Sequence, residues 1–530
     1  MTPTPPPVLP PAPSRTISAA PGTAARRYLR EGEHVRPGNL ARVDWSHKPT
    51  LVKRYPPRAA VPATGPFAAL LREAYGWTRY QWDSWVPVSA LPGLADLALG
   101  RPLRPVPSGG GLSSSELYLI GRLPGFPAGA YHYDPAADAL DPVRPGVTPA
   151  DLGVAGAPLA LLITGVFARL SFKYGEFAYR LQCLDAGVLA GQTLAVLDAL
   201  DLTGRLRTRF DDEAAETLLG LFPGAEHPLA VIAVDTPPPL SAGPGAAWAE
   251  SRTDAATPTA ATRPPRVVDT TPLTRALCAA SRMSAGHAFD GPLPPPLHPG
   301  AGRQDGPAAP DAVVPLPPVP DLPEGAVAAC RWSRRSLDGR FGAGPITLGQ
   351  AAAVAAAARH TWQGDAGPGH VLLYCVINDV AGVPRGAYVY DPAGHRLIRT
   401  RDGDLRDKIW PLPPQRWLHG DKRCAMAVYP VGDYGAGFAA CGDRWYQMQN
   451  LAAGVVAQRV LLAATAAGLS SRILCSAAPG ALAALLALPA AHRALCEILV
   501  GPPGEQVAYA QPLGRPSLPS TTNPDREAMP

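Results

Sequence analysis

Two apolar patterns run along this chain, and each occurs twice. The runs ELYLIG from Glu116 and VLLYCVIND from Val371 are short and rich in β-branched and aromatic residues, and they predict strands. The continuous apolar runs PLALLITGVF from Pro158 and CAMAVYPV from Cys424 predict buried strands. Between them, GAYHYDPAADAL (129–140) and GAYVYDPAGHRL (386–397) each read as a strand entering a turn. Each last strand leads into a long helical stretch, GEFAYRLQCLDAGVLAGQTLAVLDALDL from Gly175 and GDRWYQMQNLAAGVVAQRVLLAATAAGL from Gly442.

Order and spacing agree between the two sets, so the pattern is that of a duplicated domain. Ala186-Gly187 and Ala453-Gly454 fall at matching places in the long helices. Small residues there predict close helix approach, as at a domain interface. The expected fold class is α+β: two tandem domains, each a mainly antiparallel sheet flanked by helices, packed as a pseudodimer.

Length agrees, because 530 residues exceed the usual size of one core. Composition then separates the units. Proline, 65 residues in all, is densest in the first dozen residues and between Thr236 and Glu324, where extended chain is favoured over a packed core. The expected organisation is a disordered tail over 1–24, a first domain over 25–235, a proline-rich linker over 236–325, a degenerate second domain over 326–510 and a disordered tail over 511–530. One short helix is expected within the linker, at TPLTRALCAASRMS (271–284).

The charge balance, 48 basic against 43 acidic residues, contains no like-charge block that would serve a nucleic-acid arm. The eight cysteines are scattered, with no CxxC pair and no Cys/His cluster at metal-ligand spacing, so no metal is expected. No secretory signal and no membrane-spanning run stand out, and a soluble cytoplasmic protein is expected.

Three stretches carry candidate chemistry. RWSRRSLDGRF (331–341) opens the second repeat; the pair Arg334-Arg335, with the Ser336 hydroxyl, can grip a phosphate, but solvated arginines before a helix are the commoner case. PSGGGLSSS, from Pro107 through Ser108, Gly109 and Gly110, fits an anion-binding concavity, a surface for close approach of a flat heterocycle, or a flexible turn. It matches neither a dinucleotide fingerprint nor a P-loop. Lys173 and Tyr174, in SFKYGEFAYRL, fit a proton-moving pair or a solvated lysine beside a packing tyrosine. The repeats are complementary here. Repeat two has Ala440 and Cys441 where repeat one has the Lys-Tyr pair, and repeat one has no Arg-Arg-Ser at its start.

Taken in order, DWSHKPTLVKRYP, PSGGGLSSSELYLI, GAYHYDPAADAL and FKYGEFAYRLQCLDAGVLAGQ resemble the SagB-type dehydrogenases. These form a branch of the FMN-dependent nitroreductase superfamily that includes the azoline oxidases. The resemblance covers residues 40–235 strongly and 330–500 more weakly. Two departures stand out: Ser113-Ser114-Ser115 precede Glu116 where family members often carry an aromatic-Pro or His-Pro, and Leu337-Asp338 follow Arg-Arg-Ser where another arginine is frequent.

The resemblance implies two nitroreductase-like domains and FMN at their interface. Pro107, Ser108, Gly109 and Gly110 from one half would face Arg334, Arg335 and Ser336 from the other, giving one complete flavin site. It further implies Lys173 and Tyr174 as the proton-handling residues. The implied reaction is dehydrogenation of thiazoline or oxazoline rings in a ribosomally made precursor peptide, as in thiopeptide or linear azole-peptide biosynthesis, beside a partner cyclodehydratase. Two other readings are an NAD(P)H-dependent nitro or quinone reductase and a non-catalytic scaffold subunit.

Overall fold

The computed structural model describes residues 20–33, 43, 49–55, 61–62, 65–82, 101–123, 126–222, 224–235, 271–299, 313–319, 341–359, 362–365, 367–409, 423–475, 479–504 and 509–512. Among these, the first half builds a sheet in the order Val61–Pro62, Ala139–Pro145, Gly129–Asp134, Ser115–Gly121, Leu159–Val166, Glu226–Val234, Gly204–Arg207. The second half repeats its centre as Arg396–Asp402, Gly386–Asp391, Leu372–Ile377, Met426–Asp433, Glu497–Gly501, Ser470–Leu474. Neighbouring strands within each half are antiparallel. Even the irregularities match, since a register shift falls after Ala130 in one half and after Ala387 in the other.

The repeated Tyr-Asp-Pro turns explain their own geometry. Asp134 accepts from the Ala136 N–H at 2.8 Å, and Asp391 accepts from the Ala393 N–H at 3.1 Å. Each aspartate thus closes the turn with its own side chain. The turns return the chain through left-handed residues at matching places, Asp138 and His395.

The long helices Ala178–Ala199 and Arg444–Ala466 lie side by side at the centre and run in the same direction. Gly187 and Gly454 meet where they cross. A β-carbon on Gly187 would fall 2.1 Å from the Leu451 carbonyl oxygen, and one on Gly454 would fall 2.4 Å from that of Leu184. No other residue type allows this approach. Around the contact, Tyr179 stacks on Tyr446 with centroids 5.8 Å apart, and the Gln458 amide donates to Gln192 at 2.7 Å.

The halves also exchange edges. Gln363–Gly364 of the second half adds in parallel to Gly204–Arg207, and Tyr509–Pro512 pairs with Arg79–Trp82. Asp365 fastens the first exchange by accepting from the Thr208 and Arg209 N–H groups, at 2.7 and 2.8 Å.

The chain between the sheets contains the helix Pro272–Ser281, inside the stretch where the sequence predicts one. Glu176 receives its first N–H groups, from Leu273 at 2.9 Å and Thr274 at 2.8 Å. At the corresponding place in repeat two, Asp443 receives the Ala25 N–H of the helix Thr23–Glu31. Residues 291–298 then run without regular secondary structure but are fastened, with His370 Nε2 2.8 Å from the Pro294 carbonyl and the Leu297 N–H donating to Gly369. Prolines offer carbonyls but no N–H, and here side chains of the folded units take up those carbonyls.

No helix among the described residues is long and apolar enough to cross a membrane.

Candidate functional site

The glycine-rich stretch forms a short 3-10 turn, Gly109–Gly111, that delivers the chain into the strand Ser115–Gly121. Gly110 and Gly111 have φ of 61° and 70°, in the left-handed region that glycine enters without cost. Ser113 shares that region at 47°, and its N–H donates to Ser108 Oγ at 2.8 Å. From the long helix, Asp185 accepts the Gly109 N–H with both oxygens, at 2.9 and 3.0 Å, and the Ser114 hydroxyl at 2.6 Å. A carboxylate already uses this N–H and adds negative charge, which opposes a phosphate at the same point.

Lys173 and Tyr174 end the helix Ala168–Tyr174, where Gly175 at φ 56° turns the chain toward the long helix. Both side chains reach back over the glycine turn. A β-carbon on Gly110 would lie 2.7 Å from the Tyr174 hydroxyl and 3.2 Å from Lys173 Nζ. Two stretches separated by more than sixty residues therefore converge on one glycine.

Tyr174 packs against a small apolar cluster of Leu112, Leu170, Phe177, Ala178 and Leu181, together with Cys475 from the second half. Burial, with the nearby charge of Asp185, pushes its phenol up to about 12. At neutral pH it is a hydrogen-bond donor and not a base. Of the pair, only Lys173 carries a nitrogen that can accept a proton, and it does so as the free amine.

A small cleft opens beside the turn, lined by Tyr75, Arg104, Pro107, Ser108, the serines 113–115 and Asp185. The Arg104 guanidinium lies 3.7 Å from the Tyr75 ring centroid. Ser115 Oγ is buried on this cleft with no hydrogen-bond partner among the described residues. A buried hydroxyl in that condition is unfavourable until a ligand or water completes it.

Beneath the cleft, Arg169 links the Lys-Tyr helix to the glycine stretch. Its guanidinium donates to the carbonyls of Thr50 and Ser113, both at 2.9 Å, and pairs with Glu116. Glu116 also meets His132 Nε2 at 3.0 Å. Burial works against the Glu116 charge, but Arg169 and His132 outweigh it and hold the carboxyl well below the usual range.

The sequence-predicted residues divide into two groups. Pro107, Ser108, Gly109, Gly110, Lys173 and Tyr174 are brought together, whereas Arg334, Arg335 and Ser336 lie outside the described residues. Sequence reasoning missed Asp185, Arg104, Tyr75 and Cys475. A signal existed for Asp185, because its counterpart in the aligned repeat is Ala452. That alignment is anchored in space: Gln182 donates to the Ser114 carbonyl at 3.0 Å, and its counterpart Gln449 donates to that of His370 at 2.7 Å. No comparable signal marked Arg104, which follows the strand Arg101–Leu103, or Tyr75, which ends the helix Gly65–Tyr75.

No protein-family model matches the chain. A Methanocaldococcus jannaschii protein bearing the name of a nitroreductase is 29% identical over 104 residues, 19% of this chain and 49% of that protein. The microcin B17-processing protein McbC of Escherichia coli is 29% identical over 147 residues, 25% of this chain and 54% of McbC. The chain thus spans about half the length of the curated relatives it matches. A solved Anabaena variabilis structure, also named for a nitroreductase, superposes with a TM-score of 0.71 at 20% identity. It covers 91% of this chain and 100% of its own. That likeness shows the fold, and it extends across both halves.

Proposed function

We propose that this chain, which resembles the SagB/McbC-type branch of the nitroreductase superfamily in sequence and has the nitroreductase fold, is an FMN-dependent dehydrogenase. It oxidises thiazoline or oxazoline rings of a precursor peptide to the aromatic azoles. The observation that carries this reading is the convergence of Lys173 and Tyr174 on Gly110, in the one repeat that retains both motifs.

The residues fit a flat cofactor with polar edges. Ser115 Oγ supplies an uncompleted hydrogen-bonding group, and the glycine turn presents backbone where a β-carbon would stand. Ser108, Gly109 and Gly110 would hold the ring system of FMN, and Arg334, Arg335 and Ser336 its phosphate. When bound, FMN supplies the acceptor for a hydride from ring carbon, with dioxygen as the final acceptor and hydrogen peroxide as its product.

The chain itself handles the proton. Lys173, as the free amine, takes one proton from the ring carbon adjacent to the one that gives up hydride; two hydrogens leave, and the ring gains one double bond. Tyr174, held as a phenol, donates a hydrogen bond beside it. Arg169 keeps the helix carrying both against the carbonyl of Ser113. This supports a positioned-base dehydrogenase over a reductase that only passes hydride from NAD(P)H, because such a shuttle needs no lysine at the cofactor.

A leader-bearing peptide and a cyclodehydratase that makes its azolines are the proposed partners, in a thiopeptide or linear azole-peptide pathway of the cytoplasm. The deciding experiment incubates the flavin-loaded chain with an azoline peptide and reads the mass. Loss of two hydrogens per ring by the wild type, and its absence in Lys173→Ala, is expected. Equal oxidation by both would overturn the assignment of Lys173, and flavin bleaching by NADPH without peptide oxidation would favour the nitro or quinone reductase. A chain that cannot be loaded with FMN would favour the scaffold.

A further inference from the structure

We propose that Asp185 is a positioning residue of this site: it holds the glycine turn in place, and its negative charge favours proton uptake by Lys173 while keeping Tyr174 a donor. The inference rests on the function proposed above. Its geometric part stands on contacts alone.

Asp185 projects from the long helix Ala178–Ala199, most of whose residues are buried. One carboxylate grips two points of the turn, the Gly109 N–H and the Ser114 hydroxyl. Gly110, the next residue along, is the one on which the Tyr174 hydroxyl and Lys173 Nζ converge. A shift of Asp185 therefore moves the surface against which the pair is registered. Its hold is anchored to a helix that cannot move freely, since Gly187, two residues on, is in contact with Gly454.

The repeats give an independent indication. Lys173, Tyr174 and Asp185 correspond to Ala440, Cys441 and Ala452, so all three polar groups are absent together from the other half. A residue serving only to fasten the helix to its own half would have reason to persist in both copies, as the Gln182 and Gln449 pair does. Asp185 instead follows the chemistry.

Charge supplies the second role. The titratable groups facing Tyr174 among the described residues are Lys173, Asp185 and Cys475, and burial keeps the Cys475 thiol neutral. Asp185 is thus the anion of the cluster. Negative charge beside an amine stabilises the ammonium formed when it accepts a proton, so the amine becomes a stronger base; beside a phenol it opposes ionisation. Both effects divide the labour in the same direction.

The test compares wild type, Asp185→Asn and Asp185→Glu in the flavin-loaded full chain. Two readouts are taken: the pH profile of azoline oxidation, and the ultraviolet difference titration of Tyr174 obtained by subtracting the matching Tyr174→Phe protein. Asp185→Asn removes the charge and keeps the shape. It is expected to lower the plateau rate about tenfold and to move both the alkaline-rising limb and the Tyr174 transition down by about one pH unit. Asp185→Glu keeps the charge but misplaces it, so the rate falls while both transitions stay near wild type. A lower rate with unmoved transitions in Asp185→Asn would overturn the charge role, and an unchanged rate would overturn the positioning role. The tyrosine titration needs no turnover, so a wild type that fails to oxidise azolines would sink the function and leave this measurement decisive for Asp185.

Discussion

Gly187 and Gly454 occupy equivalent positions in the two repeats and touch each other, each against the backbone of the opposite helix. Such a contact has no slack. Gly187→Ala is expected to force the helices apart and to cost about 1–3 kcal/mol, as overpacking of a close-fitting core does. Thermal unfolding would register the change as a lowered midpoint. An unaltered midpoint would mean that the helices can slide apart without penalty.

Gly110→Ala should damage activity more than stability. The added methyl meets the Tyr174 hydroxyl and Lys173 Nζ, and the backbone is left-handed there. Flexible side-chain ends yield first, so the pair is displaced while the fold persists. A fall in kcat of at least about tenfold, with an unfolding midpoint close to wild type, is expected.

Lys173→Ala and Tyr174→Phe should differ in kind. Loss of a proton acceptor from the transition state typically costs about 100-fold or more in kcat. Loss of one hydrogen-bond donor costs less, about tenfold, and leaves the alkaline-rising limb in place because the lysine remains. Parallel pH profiles of the two variants separate these roles.

Glu116 provides a stability test with a definite sign. Its carboxyl is held below the ordinary value of 4.5 in the folded protein, so its contribution is present above that value and fades as pH falls toward the folded one. Glu116→Gln leaves the buried Arg169 without its counter-charge and should destabilise by about 3–5 kcal/mol at pH 7. The deficit relative to wild type should shrink in urea unfolding at pH 3. A deficit independent of pH would contradict the ion pair.

What the sequence revealed follows from the range of each interaction. The strands at Glu116, Pro158, Val371 and Cys424, the two long helices and the glycine contact were legible, because each is written in local periodicity or in the repeat. That the glycine turn and Lys173 and Tyr174 serve one reaction was implied only by family resemblance, and their meeting at Gly110 was not foreseen, since no local pattern ties a turn to a helix end so far along the chain. Asp185 was overlooked because an acidic residue on a mostly buried helix looks like an exposed flank until its hydrogen bonds are seen. The edge exchange at Gln363–Gly364 was illegible too, because two-residue strands carry no periodicity.

The fastened connection of residues 271–299 has a consequence for how this protein behaves at low abundance. Where two separate subunits share an interface, dilution pulls them apart and the shared site disappears with them. Here the partner is always present at the effective concentration its own tether sets, on the order of millimolar for a short flexible tether, and this one is docked. Rate per molecule should therefore stay constant as the protein is diluted. The same covalent bond frees each half to change without its twin changing too, and this is what allows an aspartate to stand in one half and an alanine at the matching place in the other.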